Sequence, residues 1–156
     1  MKDCLNMSSF FFDTNFFLDI LDKSRDRHSQ ANEALAVLIE KDEDLFTSSD
    51  IISTISYFLQ KRLGIKETVL SIDYIVENVN ILSSTREDFL ELNRIILKNS
   101  NNIKIDYEDC MQLYLANSHK VEAILTSDKT FCGGLHQLFS VEILYLGEYL
   151  KRYQNW

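Results

Sequence analysis

The sequence predicts an α/β fold: a parallel sheet of four to five strands with helices on both faces. Short apolar runs alternate with one or two amphipathic segments along the whole chain, the pattern of right-handed β-α-β crossovers. The first run, Ser8–Phe12, ends in three consecutive phenylalanines and reads as a strand covered on both faces. Acids and hydroxyls follow the runs closely, where helix caps belong.

After Ser8–Phe12, Asn15–Leu21 carries Phe16, Phe17, Ile20 and Leu21 at helical spacing. Ser29–Glu40 reads as an amphipathic helix with Ala31, Leu35, Leu38 and Ile39 on one side. Asp44–Ser48 is the second strand, and Ser49 or Asp50 caps a helix over Ile51–Leu63 that Gly64 ends. A further helix spans about 66–77, and Val79–Leu82 is the third strand. Thr85 and Asp88, three residues apart, form the carboxylate variant of a capping box for the helix through Asn99. Asp106 caps the helix that runs to His119, with Asp109 at its third position. Glu122–Asp128 is a strand that ends in polar residues, Ser140–Leu146 is the last strand, and a short helix closes the chain.

The 156 residues suit one domain, 1–156. A net charge of −8 argues against a protein that coats nucleic acid non-specifically, since such binding runs on Lys and Arg. It leaves room for an enzyme that meets nucleic acid through metal ions or a local basic patch. The basic residues near the late segments and after the second strand are few: Lys104, Lys120 and Lys129, with Lys61 and Arg62. No apolar run approaches the ~20 residues of a membrane span, and Met1–Asn6 has no secretory character. The expected address is the cytoplasm, with no membrane association. Cys4, Cys110 and Cys132 are an odd, widely spaced set and read as buried or incidental thiols. His28, His119 and His136 fall in no motif and read as surface or helix-end residues. Aromatic residues make up 12% of the chain, enough to line a homodimer surface.

Sites in open parallel sheets lie beyond the carboxyl ends of the strands. The chain places Asp13-Thr14-Asn15 at the first of these ends, Thr47-Ser48-Ser49-Asp50 at the second and Thr126-Ser127-Asp128 at the fourth. Asp109 stands in the first turn of the helix that leads into the fourth strand. Like charges this close repel and raise one another's pKa. A hard divalent cation, Mg²⁺ or Mn²⁺, relieves the repulsion through oxygen ligands. It also activates water and holds a phosphate in line for attack. Each acid alone has another reading: Asp13 and Asp106 as helix caps, Asp109 as a first-turn acid favoured by the helix dipole, Asp128 as part of a turn. Three acids converging on one sheet edge carry the functional reading.

"FFFDTNFFLDIL", "IDYEDCMQLYLA" and "AILTSDKTF", in this order and separation, resemble the opening, the D-x-x-D helix and the T-x-[DN] strand end of PIN-domain nucleases. The resemblance spans roughly Ser9 to Leu146. It implies a three-layer α/β/α sandwich and metal-dependent hydrolysis of phosphodiesters, usually in RNA. Many small members resemble the toxins of VapBC-type toxin–antitoxin pairs, so RNA is the expected substrate and an antitoxin protein an expected partner. The resemblance makes Asp13 and Asp109 direct metal ligands and has Asp128 help hold a metal or its water. Thr14, Asn15 and Thr126 then support them. The family usually carries a glutamate in the helix after the second strand, and Thr54 stands there. Asp50, one turn earlier, is a candidate to reach the site and equally an exposed cap. The departure matches a bacterial PIN-like branch that lacks the glutamate, and it motivates an alternative: a PIN-like binding module without nuclease activity. A phosphoaspartyl enzyme would also set an acid after the first strand, but it needs a second Asp where Asn15 stands.

Overall fold

The structure, a computed structural model, describes residues 8–99 and 105–153; Cys4 and Lys104 lie outside them. Five parallel strands form one sheet in the order β3-β2-β1-β4-β5. These are β1 (Ser9–Phe12), β2 (Asp44–Ser48), β3 (Asn80–Leu82), β4 (Ala123–Thr126) and β5 (Glu142–Tyr145). The central strand β1 is buried on both faces: Phe10, Phe11 and Phe12 are at most 2% exposed. Phe10 packs edge-to-face on Tyr149, and Phe12 meets Phe16 and Phe17. Strand alternation turns Phe11 to the opposite face. This is the reason for a run of three phenylalanines, because neither face of the strand sees water.

Helices α1 (Thr14–Leu21) and α2 (His28–Glu40) join β1 to β2, and α3 (Ser49–Leu63) and α4 (Ile65–Asn78) join β2 to β3. Helices α5 (Arg86–Asn99) and α6 (Tyr107–Ser118) lead to β4, and α7 (Leu146–Tyr153) follows β5. One layer holds α1, α2 and α7, and α6 with α5 covers β2 and β4. The three-layer arrangement expected from the sequence is the one observed. Among the described residues no helix is long and apolar enough to cross a membrane.

Several boundaries differ from expectation. Strand β2 runs into α3 without a loop, so the cap is Ser48, not Ser49 or Asp50: its Oγ accepts the Ile51 N–H at 3.3 Å. Ile39 is 55% exposed, and Ala34 takes the core side of α2 instead. Val79 ends α4 and stays out of the sheet, which leaves β3 three residues long. A 3₁₀ segment, Gly133–Leu138, fills the link between β4 and β5 that the sequence left unassigned. The Thr85–Asp88 box forms as expected, with Thr85 N–H to Asp88 Oδ2 at 2.7 Å and Asp88 N–H to Thr85 Oγ1 at 3.2 Å.

Gly64 ends α3 and starts α4 at φ 83°, ψ 170°, a region open essentially to glycine alone. A Cβ there would touch nothing within 4 Å, so the cost of a side chain is backbone strain only. Gly64→Ala is expected to lower stability by about 1–3 kcal/mol, read as a lower urea midpoint with an unchanged m-value.

Candidate active site

The strand order reverses between β1 and β4. Chains that leave these two strands diverge to opposite sides, and a crevice opens at their carboxyl ends. Asp13 follows β1 there and Thr126 ends β4. Asp13 is 3% exposed, and both its oxygens are engaged. Oδ1 caps α1 by accepting the Phe16 N–H at 2.8 Å, and Oδ2 accepts the Thr126 hydroxyl at 2.6 Å. The Thr126 oxygen in turn accepts the Asp128 N–H at 3.0 Å. One hydroxyl thus ties the two acids across the crevice. Asp13 is a helix cap and a site residue at once.

Asp128 folds back on its own turn, where Oδ1 accepts the Thr130 N–H at 2.8 Å and the Thr130 hydroxyl at 2.7 Å. Helix α6 brings the third acid. Asp106 caps it through the Asp109 N–H at 3.2 Å, and Asp109 Oδ2 accepts the Cys132 N–H at 3.2 Å. Cys110 and Cys132 are buried, as expected, with their sulfurs 3.7 Å apart behind Asp109.

Asp13, Asp106, Asp109 and Asp128 line one cavity of ≈ 750 Å³, together with Thr14, Asn15 and Thr54. Asp50 does not join them. It is exposed at the start of α3 and accepts the Ser84 hydroxyl at 3.1 Å, because the cap at Ser48 turns it toward the β3–α5 link. Glu108, Gln112, Arg25 and Arg62 also line the cavity, and sequence reading did not single out the first three for the site. Glu108 Oε1 accepts the Thr14 hydroxyl at 3.2 Å. Arg62 pairs with Asp22 at 2.7 Å. Arg25 Nε pairs with buried Asp19 at 2.5 Å. Its Nη2 reaches Asn15 Oδ1 at 3.4 Å. The available signal was weak: Glu108 adjoins Asp109, and Gln112 is one polar residue in the apolar stretch Met111–Ala116.

Burial raises the Asp13 carboxyl to about 7, against the hydrogen bonds from Thr126 and Phe16; the charges of Asp109 and Asp128 push the same way. Burial likewise raises Asp109 to about 6, helped by Asp106, Asp128 and Glu108 and opposed by the Cys132 N–H. Ionisation of these two acids is thus disfavoured first by burial and then by the neighbouring acids, in a space lined by oxygen donors. Among the described residues no three His, Cys, Asp or Glu side chains are gathered closely enough to hold one ion between them. The carboxylates are instead fixed by hydrogen bonds around a common space. That donor set fits a hard cation that keeps part of its water shell, as Mg²⁺ does.

Both acids titrate above the unfolded carboxylate value, so the folded chain binds more protons than the unfolded one between about pH 4 and 7. Stability of the metal-free protein falls as pH rises through this window. The Asp13 contribution is on the order of 4 kcal/mol, at 1.36 kcal/mol per unit. Asp13→Asn is expected to melt above wild type at pH 8 in EDTA and to lose that advantage near pH 4. Parallel melting curves for the two proteins across this range would contradict the assignment.

The PIN domain family model matches residues 10–133. Ribonuclease VapC1 of Aquifex aeolicus is 31% identical over 153 residues, which cover 97% of this chain and 99% of that protein. Among solved structures, Mycobacterium tuberculosis VapC20, described as a sarcin-ricin loop cleaving toxin, superposes with a TM-score of 0.63 at 16% identity, covering 74% of this chain and 87% of that one. Rickettsia felis VapBC2, bound to a DNA fragment from its promoter, gives 0.64 at 14% identity over 87% of this chain and 97% of that one. The acid after β1, the D-x-x-D start of α6 and the acid after β4 fall within or at the edges of the matched span, and the chain belongs to the PIN domain family.

Proposed function

We propose that this chain is a Mg²⁺- or Mn²⁺-dependent endoribonuclease that serves as the toxin of a toxin–antitoxin pair in the cytoplasm. The observation that carries this reading is the set of carboxylates at the β1/β4 switch point, Asp13 buried and Asp109 and Asp128 half-buried, the first two with raised pKa values. Similarity to a ribonuclease over nearly the whole chain supports it.

Asp13 and Asp109 would hold the cation, with Asp128 beside them. When bound, it would neutralise charge on the scissile phosphate and make water a better nucleophile. Asp13 is kept in place by its cap bond and by Thr126, so the rigid end of β1 sets the geometry. Asp128, less buried than Asp13, would orient water or a second ion. Thr54 is neutral and shares the cavity without adding charge.

A second hollow of ≈ 290 Å³ adjoins the cavity through Asn15, Arg25 and Asp128 and is lined further by Arg27, Ser127 and Lys129. Three cations gather here in a chain of net charge −8. Arg25 is anchored by Asp19 and Arg27 by the Ser127 carbonyl, while Lys129 makes no side-chain hydrogen bond or ion pair among the described residues. This is a seat for an RNA phosphate next to the scissile one. On the other side of the cavity, α3 and α4 expose Tyr57, Phe58, Leu63, Ile65, Val69 and Leu70. On this reading the apolar face contacts protein chains, an antitoxin and a second copy in a homodimer, consistent with the toxin–antitoxin assemblies among structural relatives.

RNA cleavage with Mg²⁺ or Mn²⁺ is expected for wild type, lost in EDTA and lost in Asp13→Asn. Cleavage retained by the variant would sink the assignment. The Asp13→Asn protein should still bind single-stranded RNA. Adding Arg27→Ala should weaken that binding and reduce the slope of log K against log salt by about 0.7. An unchanged slope would remove Arg27 from the phosphate seat.

A further inference from the structure

Two further side chains of α6, Glu108 and Gln112, line the cavity beside Asp13, Asp109 and Asp128. Gln112 lies one turn past Asp109, is 3% exposed and lines the cavity. Its side-chain oxygen is sealed from solvent and meets no hydrogen-bond donor among the described residues. A buried acceptor left unpaired costs about 1–3 kcal/mol, and buried polar atoms are otherwise nearly always paired. Glu108 stands one turn before Gln112, on the same side of the helix. Its carboxylate is held to the cavity rim by the Thr14 hydroxyl. Across the cavity, α3 contributes Thr54, Phe58, Leu59 and Arg62, and no carboxylate. Oxygen donors for that region come from α6.

We propose that Glu108 and Gln112 form the α6 side of the cation site: Glu108 as a further carboxylate for the hydrated cation, and Gln112 as a positioning residue whose amide oxygen, turned from its sealed position toward the cavity, accepts from the cation's water shell. The inference rests on the cation-dependent reading above. Its chemistry is that of hard cations, which take carboxylate and amide oxygens alike. An amide suits position 112 because it offers an oxygen without adding charge where Asp13 and Asp109 already repel. A leucine or methionine would fill the same volume, so packing alone does not ask for a polar group there.

The test is calorimetric titration with Mn²⁺ at pH 8, with melting in EDTA alongside, on wild type, Asp13→Asn, Glu108→Gln, Gln112→Leu and Gln112→Glu. Gln112→Leu is expected to bind Mn²⁺ about tenfold more weakly while melting in EDTA at or above wild type, since the orphaned acceptor is gone. Glu108→Gln should lose a similar factor of about ten. Gln112→Glu should bind at least as tightly as wild type, a rescue that a packing role would not produce. Wild-type affinity in Glu108→Gln or in Gln112→Leu overturns the role of that residue. If wild type binds Mn²⁺ and Asp13→Asn does not, such a result leaves the underlying reading standing. Absence of Mn²⁺ binding by wild type overturns both. Should Leu at 112 disturb folding, Gln112→Met repeats the measurement with an unbranched side chain of similar length.

Discussion

Asp13 directly follows the central strand, whose three phenylalanines are buried on both faces, and caps the next helix with no other residue between. Its carboxylate must therefore cap α1, bridge to β4 through Thr126, and remain in a space almost closed to water. A neutral cap such as serine meets the first demand without a desolvation cost. An ionised one there is unfavourable by itself, which is why burial dominates its pKa. The neighbouring features answer that situation. Thr126 donates to it, the Phe16 N–H donates to it, and the Phe10–Phe12 run fixes the strand that carries it. A carboxyl perturbed by burial and by neighbouring acids at the edge of a crevice is of the kind found at functional sites.

Much of this was readable from residue order alone. The fold follows from alternation of strands and helices. Asp13, Asp109, Asp128 and Thr126 were recognisable because strand ends and first helical turns are marked by composition. What failed to read out depends on quantities that linear order does not hold. Whether Glu108 or Asp50 enters the cavity is set by the rotation of each helix about its axis, and that rotation is fixed by tertiary packing. The absence of a loop between β2 and α3 moved the cap to Ser48 and turned Asp50 outward. Arg25 reached the site through a buried partner, Asp19, which looks like an ordinary helix residue in the sequence. Ile39 was placed inside by its hydropathy, but Ala34 fits the close approach of α2 better.

The electrostatics also divide in a way net charge conceals. The chain is acidic as a whole, and its cavity more so. Yet Arg25, Arg27 and Lys129 gather at one border of that cavity. A polyanion approaching from bulk would be repelled over most of the surface and attracted at one rim. Such an arrangement favours one direction of entry, and screening by salt weakens both effects together.

The link between Asp13 and Thr126 joins residues 113 positions apart. A chain emerging from the ribosome at about 5–20 residues per second carries Asp13 into the open many seconds before its partner exists. Strand β1 can pair with β2 early, but the acid cluster cannot assemble until residues through Asp128 have been made. The long span of one hydrogen bond thus acts as a timer: the nascent chain is chemically incomplete until its fourth strand has been made.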